Sequence, residues 1–204
     1  VLPLRGKILN VASAGGDKIR ANQQLSDLIQ ALGCATRAQY RDEDLRYEKV
    51  IVMTDADVDG AHIASLLITF FFREMPQLIR SGHLYLAVPP LYRLSQGGKT
   101  VYARDDAHKD ELLKKVLTGR GKIDIGRFKG LGEMPPNQLK ETNMAPAKRT
   151  LLRVMLVDEE NADTADAVGP RLGSKPTPAF AFIQDRARFA DPDELVFLGR
   201  LPGL

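Results

Sequence analysis

The chain has no tryptophan and one cysteine, Cys34, among its 204 residues. A single cysteine excludes an intramolecular disulfide framework, and it leaves too few thiolates for a structural zinc site. A free cysteine in an apolar stretch such as ALGC is most often a small core residue. We therefore expect Cys34 to be buried in a protein of a reducing compartment.

Long hydrophobic runs are also missing. The longest, IASLLITFFF at residues 63–72, is followed by Arg73 and Glu74, so it falls short of the roughly 20 residues that a membrane-spanning helix requires. The first residues, VLPLRGKILNV, lack the architecture of a cleavable signal peptide. These features predict a cytoplasmic protein without a membrane partner.

The overall composition is that of an ordinary globular protein, with 44% hydrophobic and 27% charged residues. Its length is sufficient for one large domain or two small ones. A formal net charge of +3 neither requires nor excludes a nucleic-acid partner, because the placement of the basic residues decides that question.

Helices and strands alternate in the first half of the chain. The hydrophobic pattern predicts a helix at residues 23–32, a buried strand at 49–53, a long helix at 61–80 with a break at Pro76, and a second strand at 84–88. A strand, a helix and a strand in this order form a parallel βαβ unit. The predicted fold class is therefore α/β.

The second half is organised differently. The pattern predicts a hairpin at residues 91–104, an amphipathic helix at 105–117, a strand at 122–128, a glycine-containing loop that leads into a helix, and a strand within 149–160. Residues 174–204 combine apolar helical pieces with glycines and prolines, which predicts a tail.

The segment TDADVDG at residues 54–60 places Asp55, Asp57 and Asp59 directly after the first predicted strand. Like charges this close repel unless a counter-ion is present, and an extended backbone would direct the three carboxylates to one face. Hard divalent cations prefer oxygen ligands, so we predict a magnesium site, with Gly60 allowing a sharp turn. A solvated acidic loop is the alternative. An EF-hand is excluded because Leu66 stands where its bidentate acid would be.

Three further motifs carry polar groups without deciding their role. Lys7 and Asn10 in PLRGKILN are compatible with a ligand site or with a solvated edge. Lys129 lies in the glycine loop KGLGEM, which could approach phosphate or serve as a structural turn. His62 follows the acidic segment, where it could contact phosphate, shuttle protons or simply pack.

Taken in order and at their separations, PLRGKILNV, TDADVDGAHI, GHLYLAVPPLY and RFKGLGEM closely resemble the C-terminal half of the B subunit of bacterial type IIA DNA topoisomerases. The stretches LRYEKVIVMTDADVDGAHIASLL and GGKTVYARDDAH make the likeness closer to topoisomerase IV than to gyrase. The resemblance covers about residues 1–158. It implies a Toprim domain at 1–105, built on a parallel sheet with flanking helices, and a smaller α+β C-terminal region at 106–204.

The resemblance also implies roles for individual residues. The catalytic Mg²⁺, for which Mn²⁺ could substitute, would be bound by Asp55, Asp57 and Asp59, and DNA near the break would be contacted by Lys7, Asn10 and His62. The attacking tyrosine of the family lies on the A subunit, so no nucleophile is assigned to this chain. The implied activity is ATP-dependent strand passage by a heterotetramer of A and B subunits acting on DNA.

Two departures from the family pattern limit the expected activity. The first metal ligand of the family is a glutamate in an EGDSAGG stretch upstream of PLRGK, and the ATP-binding domain also lies upstream. We therefore expect this chain alone neither to bind ATP nor to cleave DNA. The likeness weakens after about residue 165, where Ala179 and Ala181 flank Phe180 in place of an expected basic residue, so DNA contact by the tail is not expected.

Three functions stay open on the sequence alone. The first is a B subunit of topoisomerase IV or of gyrase. The second is another Toprim enzyme, such as a primase or nuclease, which the flanking PLRGKILN and RFKGLGEM motifs disfavour. The third is a module that binds metal and DNA without catalysis.

Overall fold

The computed structural model describes residues 1–55, 57–156 and 195–198. Within these residues the helices and strands are α1 Gly16–Ala21, α2 Gln23–Leu32, β1 Val50–Val52, α3 Val58–Glu74, α4 Pro76–Arg80, β2 Leu84–Ala87, β3 Tyr92–Gln96, β4 Lys99–Ala103, α5 Asp106–Lys115, β5 Asp124–Arg127, α6 Pro136–Leu139, β6 Leu151–Leu156 and β7 Leu195–Leu198. Short 3₁₀ turns lie at Arg37–Gln39, Asp42–Asp44 and Leu131–Glu133, and a π-helical turn lies at Lys140–Met144.

The first sheet has the strand order β1-β2-β6-β7 in the described part of the chain. Strands β1 and β2 are parallel, with Val50 opposite Leu84, and they are connected through α3 and α4. This confirms the predicted βαβ unit and the α/β class. Strand β6 joins β2 in antiparallel orientation, and β7 lies parallel to β6. These last pairings were not predicted, because pairing between distant segments leaves no local sequence pattern.

Helix α3 starts earlier than predicted and ends as predicted. It begins at Val58 rather than at residue 61, because the Asp57 side chain caps it by accepting a hydrogen bond from the Gly60 N–H. It ends at Glu74, and Pro76 opens α4. Met75 between them has φ −142° and ψ 53°, as expected for a residue that the following proline excludes from helical geometry.

The main core lies around α3, which is buried on most of its sides in its second half. Phe70 and Phe71 are almost fully buried, with ring centroids 5.4 Å apart in an edge-to-face arrangement. Leu25 of α2 and Leu84 of β2 belong to the same cluster. Cys34 is fully buried in it, as predicted. Val52, the last residue of β1, belongs to the same cluster, so the strand end that leads into α3 is anchored in the core.

The second sheet has the order β4-β3-β5, and its strands are antiparallel. Gly97 and Gly98 connect β3 to β4 with φ of 57° and 83°, which is the geometry of a two-residue type I′ turn. The predicted hairpin is thus confirmed, and so is the helix that follows it. A small separate core, which includes Leu94 and Leu117, lies under this sheet.

The remaining predictions concern domain limits and the membrane. The boundary between residues 105 and 106 stays a prediction, and the second sheet joins β3 and β4 on one side of it to β5 on the other. The predicted tail lies outside the described residues except for β7. No helix in the described part of the chain has the length and hydropathy needed to cross a bilayer.

Candidate functional site

The acidic segment lies where the sequence placed it, at the carboxyl end of β1. Strand β1 ends at Val52, and Asp55 lies in the connection to α3 with an exposed side chain. Asp57 is the N-cap of α3, and Asp59 lies in its first turn. Ligands of parallel sheets collect at this edge, so the fold presents these carboxylates where a ligand could reach them.

The structure does not bring the three carboxylates to one face. That expectation required an extended backbone through Asp59, but the chain is already helical from Val58, so Asp59 turns with the helix. Among the described residues, no three His, Cys, Asp or Glu side chains are close enough together to hold a metal ion. The assignment of Asp55, Asp57 and Asp59 as a common ligand set stays a prediction.

Gly60 contacts two of the acidic residues, the side chain of Asp57 and the main chain of Asp55. The Asp57 carboxylate accepts a hydrogen bond from the Gly60 N–H at 2.7 Å. A Cβ atom at Gly60 would lie 2.1 Å from the carbonyl oxygen of Asp55, a distance that no side chain can occupy. Gly60 is helical and does not form the sharp turn expected from the sequence. Glycine is required at position 60 because the main chain of Asp55 occupies the place of a side chain.

Asp59 contacts the PLRGKILN segment. Its Oδ1 lies 2.9 Å from Nζ of Lys7, and the two side chains are 75% and 49% exposed. The hydrogen bond from Lys7 is the main cause that lowers the pKa of Asp59, followed by the lysine charge, with a smaller contribution from the charge of His62 on α3. The two motifs are therefore neighbours in space, and the half-buried His62 lies beside them.

Asn10 forms a local turn. Its side-chain Oδ1 accepts a hydrogen bond from the Ala12 N–H at 3.0 Å, and its carbonyl accepts one from the Ser13 N–H at 3.3 Å. Asparagine commonly closes a turn in this way. This turn ends the segment that carries Lys7. A DNA contact by Asn10 stays a prediction.

The KGLGEM loop, residues 129–134, reaches the same site. The backbone N–H of Leu131 donates a hydrogen bond to Asp55 Oδ1 at 2.7 Å. Glu133 closes the loop by accepting from the Lys129 N–H at 3.0 Å, and the Lys129 side chain is exposed. Sequence reasoning missed the Leu131 contact because the donor is a main-chain group, and the glycines around it were the available signal.

Asp55 and Asp57 have the chemistry that a hard divalent cation requires. Magnesium is commonly bound by one or two carboxylates together with water and substrate phosphates. Both side chains are exposed. Within the described part of the chain, the hydrogen bonds given above involve Oδ1 of each carboxylate, so Oδ2 is the oxygen offered to a cation. The residues present therefore fit a magnesium site built on Asp55 and Asp57.

Two family models match the chain. The Toprim domain matches residues 1–89, which include β1, α3, α4, β2 and the three aspartates. The carboxyl terminus of the DNA gyrase B subunit matches residues 120–184, which include the KGLGEM loop and β6. The contact between Leu131 and Asp55 therefore joins the two matched regions.

Curated relatives align with this chain across both matched regions. The B subunit of DNA topoisomerase 4 from Bartonella bacilliformis is 67% identical over 191 residues, and that from Caulobacter vibrioides is 65% identical over 193 residues. These alignments cover 94% and 95% of this chain and 28% of each relative. The B subunit of DNA gyrase from Halalkalibacterium halodurans is 48% identical over 189 residues, which is 93% of this chain and 29% of that protein. The chain thus spans less than a third of the length of these relatives.

Proposed function

The chain belongs to the family of B subunits of the bacterial type IIA DNA topoisomerases, and on that premise we propose that it supplies the cation-binding surface at which a topoisomerase IV-like enzyme cleaves and reseals duplex DNA. The observation that carries the proposal is the exposed pair Asp55 and Asp57 at the carboxyl end of β1. The whole enzyme would be a heterotetramer with A subunits. It would act on DNA in the cytoplasm, with ATP bound by another domain of the same polypeptide.

In this proposal the carboxylates of Asp55 and Asp57 hold Mg²⁺, or Mn²⁺ in its place, through the oxygens that their hydrogen bonds leave open. The bound cation would stabilise negative charge on the phosphoryl oxygens and on the leaving 3′ oxygen as DNA is attacked by a tyrosine of the A subunit. The chain itself contributes position. Asp57 is fixed by its cap on α3 and Asp55 by Leu131.

Lys7, Asn10 and His62 are proposed to contact DNA. The ion pair of Lys7 with Asp59 is exposed on both sides, and exposed pairs are worth little free energy. The Lys7 ammonium can therefore leave Asp59 for a DNA phosphate at small cost. His62, on α3, lies near enough to Asp59 for its charge to act on that carboxylate. This position supports the proposal that His62 contacts the same part of the DNA as Lys7.

The test uses a full-length B subunit that carries these residues, reconstituted with its A subunit. We expect Asp55→Ala and Asp57→Ala to lower Mg²⁺-dependent DNA cleavage by about 100-fold or more, since the cation contributes several kcal/mol. The matched control is Asp110→Asn, which removes an exposed carboxylate from α5 and should leave cleavage unchanged. Normal cleavage by both site variants would refute the proposal.

A second assay separates the two branches of the family. The two topoisomerase 4 relatives are 67% and 65% identical to this chain, and the gyrase relative is 48% identical. We therefore expect the reconstituted enzyme to decatenate interlinked circles and to relax supercoils. ATP-dependent introduction of negative supercoils would instead assign it to gyrase.

A further inference from the structure

One hydrogen bond of the candidate site comes from the KGLGEM loop, in which no residue is proposed to bind the cation. The N–H of Leu131 donates to Oδ1 of Asp55 at 2.7 Å across a sequence separation of 76 residues. Leu131 opens the 3₁₀ turn Leu131–Glu133, so its N–H has no carbonyl partner within the turn. The KGLGEM loop thus uses a free main-chain donor to hold one carboxylate oxygen.

Gly130 is shaped by the same contact. Its φ of −166° and ψ of 171° are extended, a conformation open to any residue. The space around it is different, because a Cβ atom there would lie 3.1 Å from Cγ and Oδ1 of Asp55 and 3.2 Å from Oδ2. The reason for glycine at this position is therefore the approach of the Asp55 carboxylate. A Cβ atom at Gly132, two residues further on, would have nothing within 4 Å.

The loop has contacts of its own besides the one with Asp55. Glu133 accepts from the Lys129 N–H at 3.0 Å and donates its own N–H to the Gly130 carbonyl at 3.2 Å. Met134 is 6% exposed, and its sulfur lies 3.8 Å from Nδ2 of the buried Asn143. The loop that carries the Leu131 N–H is thus held by contacts that do not involve Asp55.

We propose that the KGLGEM loop is a positioning element for the cation, which fixes Asp55 through the Leu131 N–H and through the missing side chain at Gly130. The inference rests on the proposed function, because it assumes that Asp55 binds the cation. Groups that hydrogen-bond a ligating carboxylate orient it and tune its affinity. The region that matches the gyrase B carboxyl terminus would then orient a metal ligand of the Toprim region without contacting the metal itself.

The first experiment measures Mn²⁺ binding, without ATP, to a full-length B subunit that carries these residues, by electron paramagnetic resonance, which reports free Mn²⁺. Gly130→Ala should weaken binding by about 10-fold, the lower end of the range for such partners, because the new methyl group displaces the carboxylate. Gly132→Ala is the matched control in the same loop and should bind within about twofold of wild type.

The second pair of variants removes the donor itself. Leu131→Pro deletes the N–H and puts a ring carbon in its place. The loop should accept this proline, because the preceding Gly130 is extended and because Leu131 is the first residue of its helical turn. Leu131→Ala removes the side chain and keeps the N–H. We expect a loss of about 10- to 100-fold in Mn²⁺ affinity for Leu131→Pro and near wild-type binding for Leu131→Ala.

A third measurement needs no metal. Amide hydrogen exchange should show Leu131 protected in the wild type and in Asp55→Asn, whose side-chain oxygen can still accept, and unprotected in Asp55→Ala and Gly130→Ala. Thermal unfolding of each variant identifies any that fails to fold. A Gly130→Ala chain that binds Mn²⁺ weakly but keeps the wild-type protection of Leu131 would overturn the inference.

The outcomes separate the two proposals. If wild type binds no Mn²⁺, or if Asp55→Asn binds as tightly as wild type, the proposed function fails at this site and the inference fails with it. If Asp55→Asn loses Mn²⁺ while Gly130→Ala and Leu131→Pro bind like their controls, only the inference is overturned. Losses confined to Asp55→Asn, Gly130→Ala and Leu131→Pro support both.

Discussion

The two ends of helix α3 carry acidic residues in opposite environments. At the N-terminal end, Asp57 and Asp59 are exposed, and their partners are a backbone N–H and the exposed Lys7. At the C-terminal end, the side chain of Glu74 is only 5% exposed. Its two oxygens accept hydrogen bonds from Nε and Nη2 of Arg37 at 2.7 and 2.6 Å.

The comparison shows that this protein pairs its buried carboxylate with a cationic side chain. A buried carboxylate needs a full counter-charge with good geometry, and a two-bond guanidinium contact provides it. Arg37 reaches Glu74 from a backbone with φ of 51°, which non-glycine residues adopt rarely. The contact raises the pKa of Arg37. The exposed acids receive no such partner, which leaves them open to an external cation.

The largest effect should come from adding a side chain at Gly60, near the exposed N-terminal end of α3. Gly60→Ala would place a methyl group 2.1 Å from the Asp55 carbonyl oxygen, so backbone must move. We expect a loss of about 3 kcal/mol in the free energy of unfolding, at the upper end for overpacking, and loss of Mn²⁺ binding. Urea denaturation of the chain measures the first and electron paramagnetic resonance the second.

Gly16→Ala in α1 is the matched control, since both glycines are helical. Its new Cβ would make an ordinary contact of 3.6 Å with Arg20, so the substitution should be neutral or stabilising by up to about 1 kcal/mol. If Gly60→Ala were equally harmless, the close approach of Asp55 to the helix would be wrong.

The next effect tests the buried end. Removing Glu74 or Arg37 should cost about 2 to 3 kcal/mol in the free energy of unfolding, somewhat below the range for fully buried pairs because Arg37 is 61% exposed. A double-mutant cycle of Arg37→Ala and Glu74→Ala in urea measures the coupling between them. Mn²⁺ binding should be unchanged in all three variants.

The exposed pair Lys115 and Glu111, with side chains 72% and 53% exposed on α5, supplies the comparison. Its coupling should be close to zero, because both side chains stay in solvent. Equal coupling in the two cycles would mean that burial of Glu74 does not distinguish the two ends of α3.

A smaller effect separates two duties of Asp57. Asp57→Ala removes both the cap of α3 and a proposed ligand, and should cost about 1 kcal/mol in the free energy of unfolding. Asp57→Ser keeps a capping oxygen for the Gly60 N–H and should retain most of that stability. Both variants should lose Mn²⁺ affinity. Normal Mn²⁺ binding by Asp57→Ser would leave Asp57 a cap and no more.

The elements that local chemistry decides could be predicted from the sequence. Asn22 caps α2 and Gly33 ends it in the left-handed conformation, Pro76 separates α3 from α4, and Gly97 with Gly98 closes the hairpin. Each depends on sterics or capping within a few residues. The pairing of β6 with β2 depends on segments more than 60 residues apart along the chain, and no local pattern encodes it.

The candidate site divides in the same way. The position of Asp55 after a buried strand could be read from the apolar run before it. The alternation of acids at 55, 57 and 59 suggested an extended segment, but Asp57 is a capping residue and the helix takes Asp59 out of line. The Leu131 contact could not be predicted, because a backbone N–H leaves no mark on the sequence beyond the glycine that lets it approach.

The smallest effect concerns the link between Lys7 and Asp59. Because Lys7 lowers the pKa of Asp59, Lys7→Ala should return that pKa towards its ordinary value, as NMR titration of the Asp59 carboxyl group can measure. A depressed folded-state pKa stabilises the fold above the unfolded-state value, and this contribution is lost as the pH falls through the folded-state value. Both side chains are exposed, so the loss of stability should be slight. It should be present at neutral pH and vanish at acidic pH, where Asp59 is protonated with or without Lys7.

The same substitution tests whether Lys7 also serves DNA. In the reconstituted enzyme, Lys7→Ala should weaken DNA binding and reduce the slope of log affinity against log salt by about one, as expected for one lost phosphate contact. Lys18→Ala, which removes an exposed lysine from α1, controls for the loss of one positive charge and should leave the Asp59 titration unchanged. If Lys7→Ala shifts the Asp59 pKa without altering the salt slope, Lys7 serves only the acidic end of α3. A change in both would mean that the lysine exchanges Asp59 for a phosphate when DNA arrives.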